Sequence, residues 1–461
     1  MNFSTRYIAS FSIAIICGAS GSALAQNADT IFAGGFEVGE VTPLAGPCND
    51  FYPASFSLQE GMNNPTPPSM AKPDKGVVFS EPNFNTCVVR ATIHDVEPPV
   101  TFARNDYSRR EAFNADNSRL LVYASDGFWH LYDANTLQWV ERLDGPAGDA
   151  EPQWDPVDPN VFYFVPINGG KSLRKMHVDT NTWETVADFS SSLPSWAASA
   201  QHIWTRSEGS PSKDARYWAF QVEDANFGIL GFMTWDLQQN RMVGSRQMTI
   251  RPNNVSMTPS GRWVVSGGDQ EGTWAWSPDF TVKKKLHHKV EHVDVAVGVD
   301  GHDYYIAPDY ETDHGDVFAT DIDACPSVPA DATDAPTCDR IVLFHLYNNG
   351  STAALHISGK AFNKPGWVLM GTYITTPQRD GVWPWFTDKL FAIEIAPNPR
   401  VYNLAYHRVY SDGYWTEPHA SANRDFTRLM FNTNWGNESS TDVDDYMIEL
   451  PQNALPPAAQ P

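Results

Sequence analysis

Seven times along this chain, at the same point in a recurring strand pattern, a polar residue opens an apolar stretch. These residues are Glu111, Gln153, His202, Asn254, His292, His356 and His419, so four of the seven are histidines. The unit that begins at Glu111 continues as Leu120-Leu121-Val122-Tyr123, a Ser125-Asp126-Gly127 turn, Trp129-His130-Leu131-Tyr132, and Trp139-Val140-Glu141-Arg142. Four short strands joined by tight turns form one propeller blade, and a period of about 40 residues is close to that of four-stranded blade repeats. The expected fold is all-β, a seven-bladed β-propeller. Six or eight blades are alternatives, because insertions in the third and fifth units blur the count.

Ahead of the repeats the chain has a different character. Residues 1–25 carry one charge, Arg6, then the apolar run Ile8 to Cys17 and a small-residue end at Ala23-Leu24-Ala25, which predicts a signal peptide cut after Ala25. The apolar run is too short to span a bilayer and no later stretch is long enough. Residues 26–77 are rich in Pro, Asn, Ser and Gly and read as an irregular lead-in; residues 78–450 form the propeller domain, and 451–461 a tail. The segment Thr86 to Ala91 is available to close the ring against the last unit and leave no open sheet edge.

Composition narrows the partners. Without Arg6 the 32 basic residues become 31 against 55 acidic ones, a net charge of −24 that repels nucleic acid and anionic membranes. A soluble, exported monomer, secreted or periplasmic, is expected. Four cysteines remain after processing, and in an oxidising compartment the near pairs Cys48/Cys87 and Cys325/Cys338 suggest two disulfides, although three pairings are open. No Cys-x2-Cys pair exists for a thiolate zinc site.

Strand alternation then places a site. The starts of first strands and the loops between second and third strands share one face, and those loops usually carry function. They bring Asp309, His314 and the Trp383/Trp385 insertion beside the recurring polar residues, and the connection before the last unit adds Tyr414 and Trp415. Aromatic planes with polar groups suit a saccharide. These six residues are the expected substrate contacts, with a core-covering role open for the two tryptophans of the insertion.

The echo of Glu151-Pro152-Gln153 in Glu417-Pro418-His419 predicts that each proline aims the next residue at the axis. Together with His292 and His356 this gives three imidazoles and an amide oxygen, a set suited to zinc or manganese rather than calcium. His130, His177, His345 and His407 read as packing or surface groups, and His287-His288 as a solvated turn. No nucleophile elbow, His-Glu-x-x-His motif or phosphate-cradling loop occurs.

The blade pattern with axial histidines and a glutamine resembles the secreted seven-bladed polysaccharide lyases, the oligogalacturonate lyases in particular. The resemblance implies a metal held by histidine and glutamine and β-elimination on uronate chains, with Gln153, His292, His356 and His419 as counterparts of the ligands. That family gathers its ligands in one short stretch, whereas here they are spread one per unit. Elimination needs a base, for which His202 is the candidate, and a cation to stabilise the enolate, for which Arg206, Arg110 or the metal are candidates. The alternative is a non-catalytic propeller that binds glycan or protein.

Overall fold

The computed structural model describes residues 46–438 and 441–459. The expected signal peptide lies outside the described residues, as do positions 26–45 of the lead-in. Among the described residues there is no α-helix; two single-turn 3-10 segments, Ser195–Ala197 and Tyr414–Thr416, are the helical elements. None is long and apolar enough to cross a membrane.

Most strands assemble into antiparallel sheets of four or five strands, and the others join in one nine-stranded sheet, giving a propeller-like arrangement. One sheet runs His202–Trp204, Tyr217–Glu223, Ile229–Asp236, Arg241–Gln247, and the next runs Asn254–Met257, Val264–Gly268, Gly272–Trp276, Val282–His287. Consecutive strands pair because short Gly/Asn/Asp turns reverse the chain directly into its neighbour. In each sheet the start of the first strand faces the end of the second, as in the pairs His202↔Glu223, Asn254↔Gly267 and His356↔Gly371. The recurring polar positions therefore lie beside the loops that join second and third strands.

Cores form between successive sheets. Val165, Leu173 and Phe189 from one side meet Trp204, Trp218 and Trp235 from the next, and Ile306, Val317 and Phe344 meet Met370, Phe391 and Ile393. A sheet buried on both faces needs apolar residues at successive positions, which explains why Trp367–Tyr373 and Lys389–Glu394 are buried along their whole length. Burying these large side chains supplies about 1.5–3 kcal/mol each, the main favourable contribution to the fold.

The ends of the chain meet in one sheet. Cys87–Arg90 pairs antiparallel with Val443–Glu449, and the latter also touches Phe102–Arg104 through a short parallel contact. Residues ahead of this strand are irregular but anchored: Gln59–Glu60 pairs with Val401–Tyr406, Lys389 Nζ donates to Asn63 O, and Trp435 Nε1 donates to Met70 O. The last residues dock as well, with Leu455 buried and Trp367 Nε1 donating to Pro456 O. Both expected disulfides are present, Cys48–Cys87 and Cys325–Cys338. The second staples the loop whose Val328–Pro329 adds an edge strand to Val282–His287.

Candidate active site

Three of the four recurring histidines come together. His356 stacks on His292 (ring centroids 4.6 Å apart, planes 8° apart) and lies 4.5 Å from His419, with Tyr373 stacked on it at 5.0 Å. Tyr107 meets both His356 and His419 edge-on, at 5.2 and 5.1 Å. A carboxylate completes the group: Glu417 Oε2 is 2.7 Å from His356 Nε2 and 3.8 Å from His419 Nε2, and it accepts a hydrogen bond from Tyr373.

Burial decides the charge of these rings. It lowers His292 to about 4, with the neighbouring His356 as a second cause, and lowers His356 to about 3, aided by the charge of Arg109. His419 is held well below the usual imidazole range by the same burial and by His356. Neutral imidazoles keep a lone pair, and the hydrogen bonds fix where it sits. His292 Nδ1–H donates to Leu355 O at 2.7 Å and His419 Nε2–H to Tyr414 O at 2.8 Å, so the lone pairs fall on Nε2 and Nδ1 respectively. Burial raises the Glu417 carboxyl, against the hydrogen bond from Tyr373.

The donor set fits a divalent metal ion. His356, Glu417 and His419 each present a ligand atom within 4.8 Å of the others, and the buried Nδ1 atoms of His356 and His419 have no hydrogen-bond partner. His292 is placed differently from the other two. Its ring stacks on that of His356 and its Nδ1–H is held by Leu355 O, and it is not one of the three residues whose ligand atoms converge.

A cavity of about 450 Å³ opens over His292. Tyr107, Tyr414, Arg109, Arg206 and Arg251 are in its wall, together with the carboxylates of Glu208, Asp269 and Glu291. Arg109 pairs with Glu208 and Arg251 with Glu223, each at 2.6 Å. Arg206 bonds only backbone and amide oxygens of Pro252 and Asn253, and it has no carboxylate partner among the described residues. Its backbone and that of Ser207 are left-handed (φ 61° and 70°), and His419 has φ 40°, conformations that cost non-glycine residues energy and that tertiary contacts must hold.

The other expected residues are dispersed around this centre. Gln153 Nε2 donates to Gly209 O at 3.1 Å, and the guanidinium of Arg110, which pairs with Asp106, donates to the same carbonyl at 3.2 Å. Asn254 donates to Glu208 and Glu111 pairs with Arg424. His202 stacks on Phe227 at 4.0 Å, donates Nδ1–H to Asn168 O, and is not part of the cavity wall. Asp309 is buried, paired with Arg340 at 2.7 Å and 3.2 Å from His287 Nε2, while His314 lies beside His345. Trp385 packs on Phe344 and Phe391, whereas Trp383 and Trp415 are exposed, Trp415 beneath the Arg104 guanidinium. The His287-His288 pair corrects the reading as a solvated turn: His287 ends a strand and is fully buried against Phe318, and only His288 reaches solvent.

Sequence reasoning missed Glu417, Tyr107, Arg109 and Glu208 as members of the site. Glu417 had a signal, since it lies two residues before His419 and extended chain returns to the same side every second residue. The two Glu-Pro leads are not equivalent. Glu151 is itself left-handed (φ 53°) and buried, accepting hydrogen bonds from Thr205 and Ser207 N–H, whereas in the second lead it is the histidine that takes the left-handed turn.

No family model matches the chain, and no curated protein matches it. Among solved structures it is similar to an oligogalacturonate lyase in complex with manganese, at 15% identity and a TM-score of 0.54, over 82% of this chain and 96% of that one. An oligogalacturonate lyase from Vibrio parahaemolyticus aligns at 13% identity and a TM-score of 0.54, over 82% and 97% of the two chains. At this identity the likeness shows the fold. The chain shares the propeller-like architecture of these lyases.

Proposed function

We propose that the protein is an exported polysaccharide lyase, a seven-bladed propeller closed by Cys87–Arg90 on Val443–Glu449, that cleaves uronate-containing glycans by β-elimination. One observation carries the reading: a single cavity combines Arg206, which forms no ion pair among the described residues, with the neutral His292, behind which His356, Glu417 and His419 form a metal-type donor set. The oligogalacturonate lyase neighbours support the same class of chemistry, and the two disulfides suit an oxidising, extracytoplasmic compartment.

His356, Glu417 and His419 are the residues that would hold a divalent ion, manganese or zinc. When bound, such an ion supplies positive charge against the uronate carboxylate and the enolate that develops from it. Arg206 binds the carboxylate. His292, fixed through Nδ1–H on Leu355 O, takes the proton from the carbon beside that carboxylate at Nε2. Tyr107 and Tyr414 remain protonated because burial raises both phenols, and one of them protonates the departing glycosidic oxygen. The carbon–oxygen bond breaks as the carbon–carbon double bond forms, and no water is consumed.

The test is the ultraviolet absorbance of the unsaturated product on a panel of uronate polymers, with manganese or zinc added. Turnover is expected in the wild type and lost in His419→Ala, with kcat/KM lowered roughly 10- to 100-fold in Arg206→Gln, the worth of one charge-assisted hydrogen bond. No absorbance with any metal sinks the reading. A binding protein is the second reading, favoured by the exposed indoles of Trp383 and Trp415; there Trp383→Ala weakens glycan binding and His419→Ala spares it.

A further inference from the structure

Beside the histidine cavity lies a second hollow, of about 560 Å³, against the outer strand of the neighbouring sheet. The two share Gln270 in the turn between Val264–Gly268 and Gly272–Trp276, and the wall continues from Met248-Thr249 on one side to Ile250-Arg251 on the other. Three cations face this hollow: Arg246, Lys283 and Lys285.

Their arrangement is unusual for so acidic a chain. None of the three forms an ion pair with a carboxylate among the described residues, although Glu271 and Asp331 also line the hollow. Arg246 donates to Ala330 O at 3.0 Å and Lys285 to Glu271 O. Lys283 is 9% exposed and has no hydrogen-bond acceptor among the described residues; its ammonium sits 4.2 Å from the Trp274 ring centre and 5.0 Å from that of Trp276. Burial and the charge of Arg246 both disfavour its protonated form. Three neighbouring like charges oppose one another, with the Lys283 ammonium resting on two indole rings and no carboxylate paired to it among the described residues, and an anion in the hollow offsets that repulsion.

The wall is built rather than incidental. The Cys325–Cys338 loop runs along the strand that carries the lysines, with Lys283 opposite Val328 and Lys285 bridged to Thr337, and it places Ala330 to Thr333 at the rim. A volume of this size exceeds what one inorganic oxyanion fills and lies in the range of pockets for larger ligands.

We propose that this hollow is an extension of the binding site, in which Arg246, Lys283 and Lys285 hold further acidic sugar units of a chain whose reacting unit lies in the histidine cavity, the chain crossing at Gln270. The inference rests on the uronate reading of that cavity and adds to it a preference for longer chains.

The experiment compares a galacturonate dimer with a hexamer. In Lys283→Gln/Lys285→Gln, KM for the hexamer is expected to rise roughly ten-fold while dimer kinetics stay unchanged, since the dimer does not reach across Gln270. Arg246→Gln, at a partly exposed position, is the second variant and should shift the same way if the double variant folds poorly by circular dichroism. Hexamer KM unchanged in folded variants, or hexamer and dimer affected alike, overturns the inference. Calorimetric binding of the hexamer separates this failure from that of the lyase reading. Binding without turnover that is lost in the lysine variant keeps the extension and removes the lyase; no binding to the wild type overturns both.

Discussion

At the scale of residues, the site is a cluster of imidazoles kept neutral by burial, and this makes stability depend on pH. In the unfolded chain His292 and His356 protonate near 6.5, but in the fold only near 4 and 3. The unfolded state therefore binds more protons between these values: the stabilisation is full above pH 6.5 and is lost as pH falls towards 4, by about 1.4 kcal/mol per pH unit for each ring. Glu151 acts in the opposite sense. Burial raises its carboxyl from 4.5 to about 7, so its contribution is present below pH 4.5 and is lost as pH rises towards 7. Urea midpoints measured from pH 4 to 7 should rise more shallowly with pH in His356→Gln than in the wild type, and more steeply in Glu151→Gln. Parallel slopes in all three proteins would contradict this account. The recurrence of histidine in the repeat pointed to His292, His356 and His419, because equivalent positions in a repeat occupy equivalent places in space. It pointed equally to His202, which the structure stacks on Phe227, because recurrence specifies a backbone position and leaves the side-chain direction to its neighbours.

Among the elements, strand existence was legible and loop attachment was not. Second strands such as Val161–Phe164 and Tyr217–Glu223 follow from runs of β-branched and aromatic residues between turns. The segment before residue 78 has no such pattern, yet it is bound through individual hydrogen bonds and the Cys48–Cys87 bridge, next to which Cys48 N–H donates to Glu449 at 2.8 Å and Cys87 N–H to Tyr52 Oη at 2.7 Å. This bridge ties the start of the described chain to the strand that pairs with Val443–Glu449. Replacing both cysteines by alanine is expected to lower unfolding free energy by about 2–4 kcal/mol in guanidinium titrations. Because neither cysteine lines the cavity, oligouronate binding by the folded variant should be unchanged; a loss of binding would show that the bridged segments also shape the site.

For the whole molecule, charge and its distribution point in opposite directions. The chain carries a formal −23, yet Arg109, Arg206 and Arg251 balance Glu208, Asp269 and Glu291 in one cavity, and Arg246, Lys283 and Lys285 outnumber Glu271 and Asp331 in the hollow beside it. Affinity for polyuronate should therefore fall as salt rises from roughly 0.05 to 0.5 M, where the screening length shortens to a few ångströms, while any binding of a neutral glycan stays level. Equal salt dependence for the two ligands would remove the cationic path from the account. Sequence by itself determined that the chain forms short antiparallel strands in repeated units, because alternation, turn residues and aromatic content act locally. It also pointed to the cysteine pairs, which lie near each other along the chain. Only the tertiary structure decided that Glu417 reaches His356, that Arg206 pairs with no carboxylate among the described residues and that two hollows meet at Gln270, because each depends on contacts between sheets whose residues are far apart in sequence.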